Sequence, residues 1–282
     1  MPLAWLGVVP FFAYATAFLI LPSVIVLIGA FKDDAGHWTT ANVGEIIHTP
    51  QYIHAYRTSI EISLVTAAMG GLLGLLIAYA ALSPGMPRFI RSGLTTFSGV
   101  AANFAGVPLA FAFIATLGTL GIVTKFMRDH LGFNPYDHGF TLFSFWGVVI
   151  TYMYFQIPLM ILVIAPAIDG LRKEWREAAS NLGASSLQYW LHVGFPVLLP
   201  SILGATILLF GNAFSAYATA YALTGGAVNL VPLIIGQQIG GDVLSNPHLG
   251  QALAFGMIVV IAVSMVAYAL LQRRASRWAR SR

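Results

Sequence analysis

Six stretches of this chain are too long and too free of charge to be wetted. No Asp, Glu, Lys or Arg occurs in residues 1–31, 62–87, 92–124, 139–168, 178–241 or 251–272. About 20 consecutive apolar residues cross a bilayer as one helix. Every run reaches that length, and 178–241 leaves room for flanking loops. Only 9% of the 282 residues are charged, against about 25% in an ordinary globular protein. One soluble core of this size has no place for six such helices. The expected fold is all-α: a six-span polytopic membrane helical bundle, with spans near 6–30, 61–82, 97–120, 142–167, 198–222 and 250–271.

The first run does not read as a cleavable signal peptide, because no basic residue precedes its apolar core and that core exceeds the usual length. Cysteine is absent, which excludes disulfides and thiolate ligands. The basic pI of about 9.4 argues orientation in a membrane rather than nucleic-acid binding. With six spans both termini share a side. That side carries Arg88 and Arg91, then Arg172, Lys173 and Arg176, then the five arginines of the tail; the other carries Lys32, Arg57, Lys125 and Arg128. The positive-inside rule makes the termini cytoplasmic, with the tail supplying most of the bias. The tail itself, "RRASRWARSR", reads as an electrostatic anchor against anionic headgroups.

Pro22, Pro108 and Pro158 fall within expected spans, and Gly70, Gly71 and Gly74 lie close together in one of them. Prolines kink membrane helices and small residues let them approach closely. The segment 223–249, "LTGGAVNLVPLIIGQQIGG" within it, is too interrupted for a clean span; it reads as a re-entrant or interfacial segment, or a loop covered by protein. Seven histidines are present, but the spacing of His37, His48 and His54, or of His130 and His138, matches no compact ligand set, so no metal site is expected.

The longest loop on the termini's side breaks the pattern. "DGLRKEWREAASNLG" begins with a possible N-cap, Asp169, and ends on a possible left-handed stop, Gly183. Leu171, Trp175, Ala178, Ala179 and Leu182 share one face of the helix between them, and Arg172, Lys173 and Arg176 another. Lys173 and Glu177 are spaced for a weak helical ion pair. Ser185 or Ser186 can cap a second helix through "LQYWLHVGF", closed by Pro196, with Pro200 in the first turn of the next span. Such a pair can lie on lipid headgroups or dock on a soluble partner, and residue chemistry alone does not choose between the two. A catalytic loop fits poorly, since Glu177 and His192 stand far apart in the chain.

The spacing Glu177-Ala178-Ala179, then Gly183, then Val193, Phe195 and Pro196 resembles the cytoplasmic loop of permease subunits of type I binding-protein-dependent ABC importers. Val193 and Phe195 stand where that pattern has Ile and Leu. "TSIEISLVTAAMGGLLGLLIAYAAL" resembles the opening span of the family's core, and "SAYATAYALTGG" the end of its fifth span in the spermidine/putrescine group. The resemblance implies three parts: a first helix and outer loop at 1–56, a permease core at 57–271 and a basic tail at 272–282. It implies ATPase coupling through Trp175, Glu177, Ala178, Ala179, Leu182, Gly183, Val193, Phe195 and Pro196. It also implies a polyamine as cargo, with ferric iron, sulfate, thiamine or phosphonate as the alternatives.

The chain carries no phosphate-binding loop, since "GGLLGLL" lacks the Gly-Lys-Ser/Thr that cradles phosphate. It is therefore expected to be no enzyme and to hold no cofactor, ATP and Mg belonging to partner subunits. The partners implied are two cytoplasmic P-loop ATPases, a second permease subunit (a paralogue or a second copy), an extracytoplasmic substrate-binding protein and the lipid bilayer of a bacterial inner membrane; no nucleic acid is implied. Uncharged polar groups inside spans make Asn103, Gln156, Asn212 and Tyr217 candidates for the path, with Glu61 the lone acid near an outer end. An ion-coupled secondary transporter is the rival reading, and it wants an ionisable group in mid-span that this chain lacks.

Overall fold

The computed structural model describes residues 8–82, 86–240 and 246–280, with side chains described as far as Arg273. The arginines expected to anchor the tail beyond that point lie outside the described side chains. All regular elements among the described residues are helical: α1 (Val9–Ala15), α2 (Leu21–Gly29), α3 (Ala41–His48), α4 (Pro50–Leu82), α5 (Arg88–Asn103), α6 (Val107–Leu117), α7 (Ile122–Leu131), α8 (Phe145–Asp169), α9 (Lys173–Asn181), α10 (Ser186–Tyr189), α11 (Phe195–Phe214), α12 (Ala218–Thr224), α13 (Val231–Ile239) and α14 (Pro247–Arg280). Six segments are long and apolar enough to cross a membrane: Val9–Gly29, Pro50–Leu82, Val107–Leu131, Phe145–Asp169, Ser186–Phe214 and Pro247–Arg273.

Two of these segments contain a π turn, and each turn ends just before a proline. Thr16–Ile20 precedes Pro22 and Trp190–Gly194 precedes Pro196. Proline offers no N–H and its ring crowds the carbonyl one turn back. Widening the preceding turn, with Phe195 N–H donating to the Trp190 carbonyl, keeps the other backbone groups satisfied. Pro196 therefore does not close a helix, contrary to the sequence reading. The chain runs on helically from Ser186 to Phe214, and the fifth span starts well before the expected residue 198.

The expected third span at 97–120 is not one helix either. Helix α5 starts at Arg88 and stops at Asn103, and α6 starts at Val107. Between them Gly106 takes φ 77° and ψ −148°, a conformation essentially reserved for glycine. Pro108 then sits in the first turn of α6, where its missing N–H costs nothing. Helix α7 follows a second break and places Ile122, Val123 and Phe126 beside Lys125 and Arg128, the make-up of a helix lying at a lipid interface.

The chain forms two compact units. The first comprises residues 1–57 and 229–261. Its core joins Tyr52 and Ala55 of α4 to Val231 and Ile234 of α13 and to Leu249 and Leu253 of α14. The "VPLII" segment is thus a short helix covered by protein, one of the outcomes its sequence allowed. In the same unit Asn42 donates to the Lys32 carbonyl (2.8 Å), which ties α3 to the loop after α2. The His37 backbone N–H donates to Asp33 (2.8 Å) and holds that carboxyl below its usual range.

The second unit comprises residues 58–228 and 262–282 and is built around α8. Val148, Val149, Met160, Ile161 and Ile164 of α8 are buried. Helix α4 comes so close that a Cβ on Gly70 would stand 2.7 Å from the Gln156 Cβ, and one on Gly74 would stand 2.5 Å from the Met160 Cβ. The matching order of these contacts makes α4 and α8 parallel. Helix α11 is antiparallel to α8 and α5 also runs against it, with Arg91 of α5 paired to Asp169 at the end of α8. The end of α4, the start of α5, the end of α8 and the start of α11 therefore lie at one end of this unit. Asp169 is the last residue of α8 and not an N-cap: its carboxylate is engaged by Arg91.

Candidate functional site: a two-helix loop and a pair of helix breaks

The loop between α8 and α11 begins at Gly170, which ends α8, and re-enters helix at Lys173 with Arg172 extended before it. Helix α9 buries no residue. Its end is a complete double-bonded glycine stop. Gly183 N–H donates to the Ser180 carbonyl (2.9 Å) and Ala184 N–H to the Ala179 carbonyl (2.9 Å), with Gly183 at φ +76°. Two residues later Ser185 opens α10 through a reciprocal cap: its hydroxyl accepts from Gln188 N–H, and the Gln188 side chain accepts from Ser185 N–H. Stop and start are thus encoded within four residues, and they make a sharp, defined corner.

The residues expected to couple do not form a cluster; they line this corner. Leu182 at its tip is 87% exposed, and Leu187, Leu191 and Phe195 are also exposed. Glu177 and Ala178 face solvent while Trp175, Ala179, Val193 and Pro196 are half-buried. The Arg172 guanidinium lies over the Trp175 ring at 5.8 Å. Among the described residues Glu177 makes no ion pair, so the expected partnership with Lys173 is not formed. The corner thus presents an apolar tip with an exposed acid on the helix before it. Its attachment to the bundle comes from Tyr189, which is buried, and from Trp190, whose ring meets the edge of Tyr79 on α4 at 4.8 Å. From the sequence Tyr189 and Trp190, like Trp175, read as anchors in the headgroup region; the helix that Trp190 meets was not visible there.

The other end of the loop's supporting helices carries a second feature. Helices α5/α6 and α11/α12 both break, and the breaks are joined. Gly106 N–H donates to the Thr219 hydroxyl (2.7 Å), and Tyr152 of α8 donates to the Ala216 carbonyl (3.0 Å). Broken helices are tolerated inside a membrane where protein re-satisfies the freed backbone groups or where they line a cavity. Asn103, Asn212 and Tyr217 lie beside these breaks and are exposed, Tyr217 stacked on Tyr221 at 5.6 Å. Asn103 donates to the Gly99 carbonyl (2.8 Å) and finishes α5. Gln156 sits apart from this group. It is fully buried and donates to the Leu209 carbonyl (2.9 Å), bonding α8 to α11. Glu61 is exposed on α4. Thr219 and Gly106 were not among the expected residues, although a glycine immediately before "VP" was a signal for a helix restart.

No group of three or more His, Asp or Glu side chains able to hold a metal occurs among the described residues. Two broken spans joined to each other, packed around one central helix and carrying an exposed two-helix loop at one end, make a polytopic membrane bundle. The chain belongs to the family described as "binding-protein-dependent transport system inner membrane component", which it matches over residues 70–277. It is a permease subunit of a type I ABC importer, a non-catalytic part of such systems. It is 26% identical over 265 residues to a probable sulfate transport system permease protein of Helicosporidium sp., covering 92% of this chain and 88% of that one. It is 25% identical over 272 residues to a spermidine/putrescine transport system permease PotC homolog of Mycoplasma pneumoniae, covering 92% and 87%. Its fold superposes on a chain from the crystal structure of a bacterial ABC transporter involved in import of the acidic polysaccharide alginate, with TM-score 0.77, 16% identity and coverage of 96% and 95%.

Proposed function

We propose that this subunit forms half of a translocation path for a small charged solute and is driven through the corner at Gly183 by a separate cytoplasmic ATPase. The observation that carries the reading is the corner itself: a capped helix pair at one end of the bundle, with an 87% exposed leucine at its tip and no buried residue in α9. Lipid headgroups have no need of so defined a turn, whereas a protein groove does. The partners are two P-loop ATPases that bind ATP and Mg, a second permease subunit and an extracytoplasmic binding protein, in a bacterial inner membrane. Trp175, Glu177, Ala178, Ala179 and Leu182 face the ATPase; Val193, Phe195 and Pro196 join the corner to the span. Asn103, Asn212 and Tyr217 line the path at the paired breaks, with the exposed Glu61 as a flanking member; Gln156, fully buried, bonds α8 to α11 and stands behind the path rather than in it.

Orientation follows from charge, and the loop is cytoplasmic. Ser180→Cys, in a chain without cysteine, is expected to react with a membrane-impermeant maleimide in inverted vesicles and to stay unlabelled in intact cells. Labelling in intact cells reverses the topology.

For the cargo, the first reading is a polyamine, from the resemblance of "SAYATAYALTGG" and the likeness to the PotC homolog. The second is an oxyanion, favoured by likeness to sulfate permeases and by the absence of carboxylates at the breaks, which a polycation would need. In either case a path with no charged group at the breaks holds its cargo weakly and leaves selection to the external protein. Calorimetry on the binding protein encoded with this subunit is expected to show tight binding of spermidine or putrescine and none of sulfate; the opposite result assigns the oxyanion.

A further inference from the structure

We propose that the Trp190–Tyr79 contact carries movement of the two-helix loop into α4, which makes Trp190 a positioning residue for transport. The inference rests on the coupling reading above and names where its force enters the bundle. The loop is tethered at two points. At its start Asp169 pairs with Arg91, an exposed ion pair that slides and re-forms at little cost. At its end the tether is a ring contact: Trp190 presents its ring to Tyr79 nearly at right angles, 83°, with the centroids 4.8 Å apart.

Three features make this tether a moving part rather than plain packing. The π turn starts at Trp190, so the backbone there is already one residue wider than a helix and can change register. The Trp190 ring lies against Gly194, where any Cβ would stand 2.5 Å from it, so ring and turn move together. Beside the ring is an apolar groove of about 180 Å³, open on one side and lined by Leu75, Leu76, Tyr79, Ile168, Trp190 and Phe195, among others, so no other side chain of this chain fills the space next to the indole. The indole N–H is buried without an acceptor in this chain, so no hydrogen bond fixes the ring where it lies. Packed cores answer small displacements by switching between discrete arrangements. A pull on α9 that re-seats Trp190 in the groove shifts α4, and through its close glycine contacts α8 as well.

The test uses the assembled transporter in liposomes, with ATP hydrolysis, transport and ATPase retention measured together at equal subunit levels. Trp190→Phe keeps a ring edge against Tyr79 and is expected to transport close to the parent rate. Trp190→Leu and Tyr79→Leu are each expected to keep the ATPase bound and hydrolysing while transport falls about five- to hundredfold, the usual span of coupling between sites. For the transport step the double variant should be no worse than the more impaired single one, because both remove the same shared ring contact. Tyr79 is 38% exposed, so Tyr79→Leu carries the test even where Trp190→Leu fails to accumulate. Independent, multiplying losses, or unchanged transport in Tyr79→Leu, overturn the proposal. Gly183→Val serves as the companion: if it uncouples transport while the ring variants do not, only this contact is wrong, and if it too transports normally the coupling reading falls with it.

Discussion

Gly183→Val is expected to leave the protein in the membrane at normal levels and to stop productive transport. The left-handed backbone there costs an ordinary residue about 1–2 kcal/mol, and a β-branched one more. No atom lies within 4 Å of a Cβ at this position, so the penalty is purely one of backbone conformation and does not spread into the bundle. The chain escapes it by opening the double-bonded stop, and the corner loses its angle. Asparagine tolerates the left-handed region, so Gly183→Asn should retain most of the transport that Gly183→Val loses. Measured in proteoliposomes with the ATPase subunits, equal activity of the two variants would show that the angle of this corner is irrelevant.

Gly74→Val should act in the opposite manner, on stability before function. Its Cβ would stand 2.5 Å from the Met160 Cβ and 2.8 Å from the Ile157 carbonyl, which belongs to the backbone of the central helix and cannot rotate away. Overpacking of this kind costs about 1–3 kcal/mol or more. The expected outcome is loss of monodisperse protein in detergent and a lowered midpoint in a thermal aggregation assay. Gly93, with nothing within 4 Å, supplies the control: Gly93→Ala should be neutral or slightly stabilising. A Gly74→Val protein as heat-resistant as the parent would mean that α4 and α8 are not in close contact in the membrane.

The six-span architecture was legible because lack of charge over long runs is a property of composition and needs no tertiary knowledge. The Gly183 stop and the Ser185 cap were legible because both are local devices, completed within a few residues. What escaped was decided by neighbours. Asp169 reads as a cap in isolation, yet α8 continues through it, and Arg91, far away in sequence, takes its carboxylate. Pro196 reads as a terminator until a π turn absorbs it, and whether a helix widens or stops depends on what packs around it. The break at 104–106 was hidden by an apolar run that hydropathy cannot divide; its stabilising partner, Thr219, lies on a different span. The candidate path was legible only as a list of polar residues, and the fold separates Gln156, which bonds two helices, from Asn103, Asn212 and Tyr217 beside the breaks.

The first segment, Val9–Gly29, has none of its spanning window buried by the rest of the chain, whereas Phe145–Asp169 has 56% buried. The first helix thus presents its spanning window to whatever surrounds this chain, while α8 carries faces shaped to α4, which precedes it, and to α11, which follows it. A substitution on the first helix is met by lipid or a neighbouring molecule, whereas one on α8 is met by two other helices of the same chain.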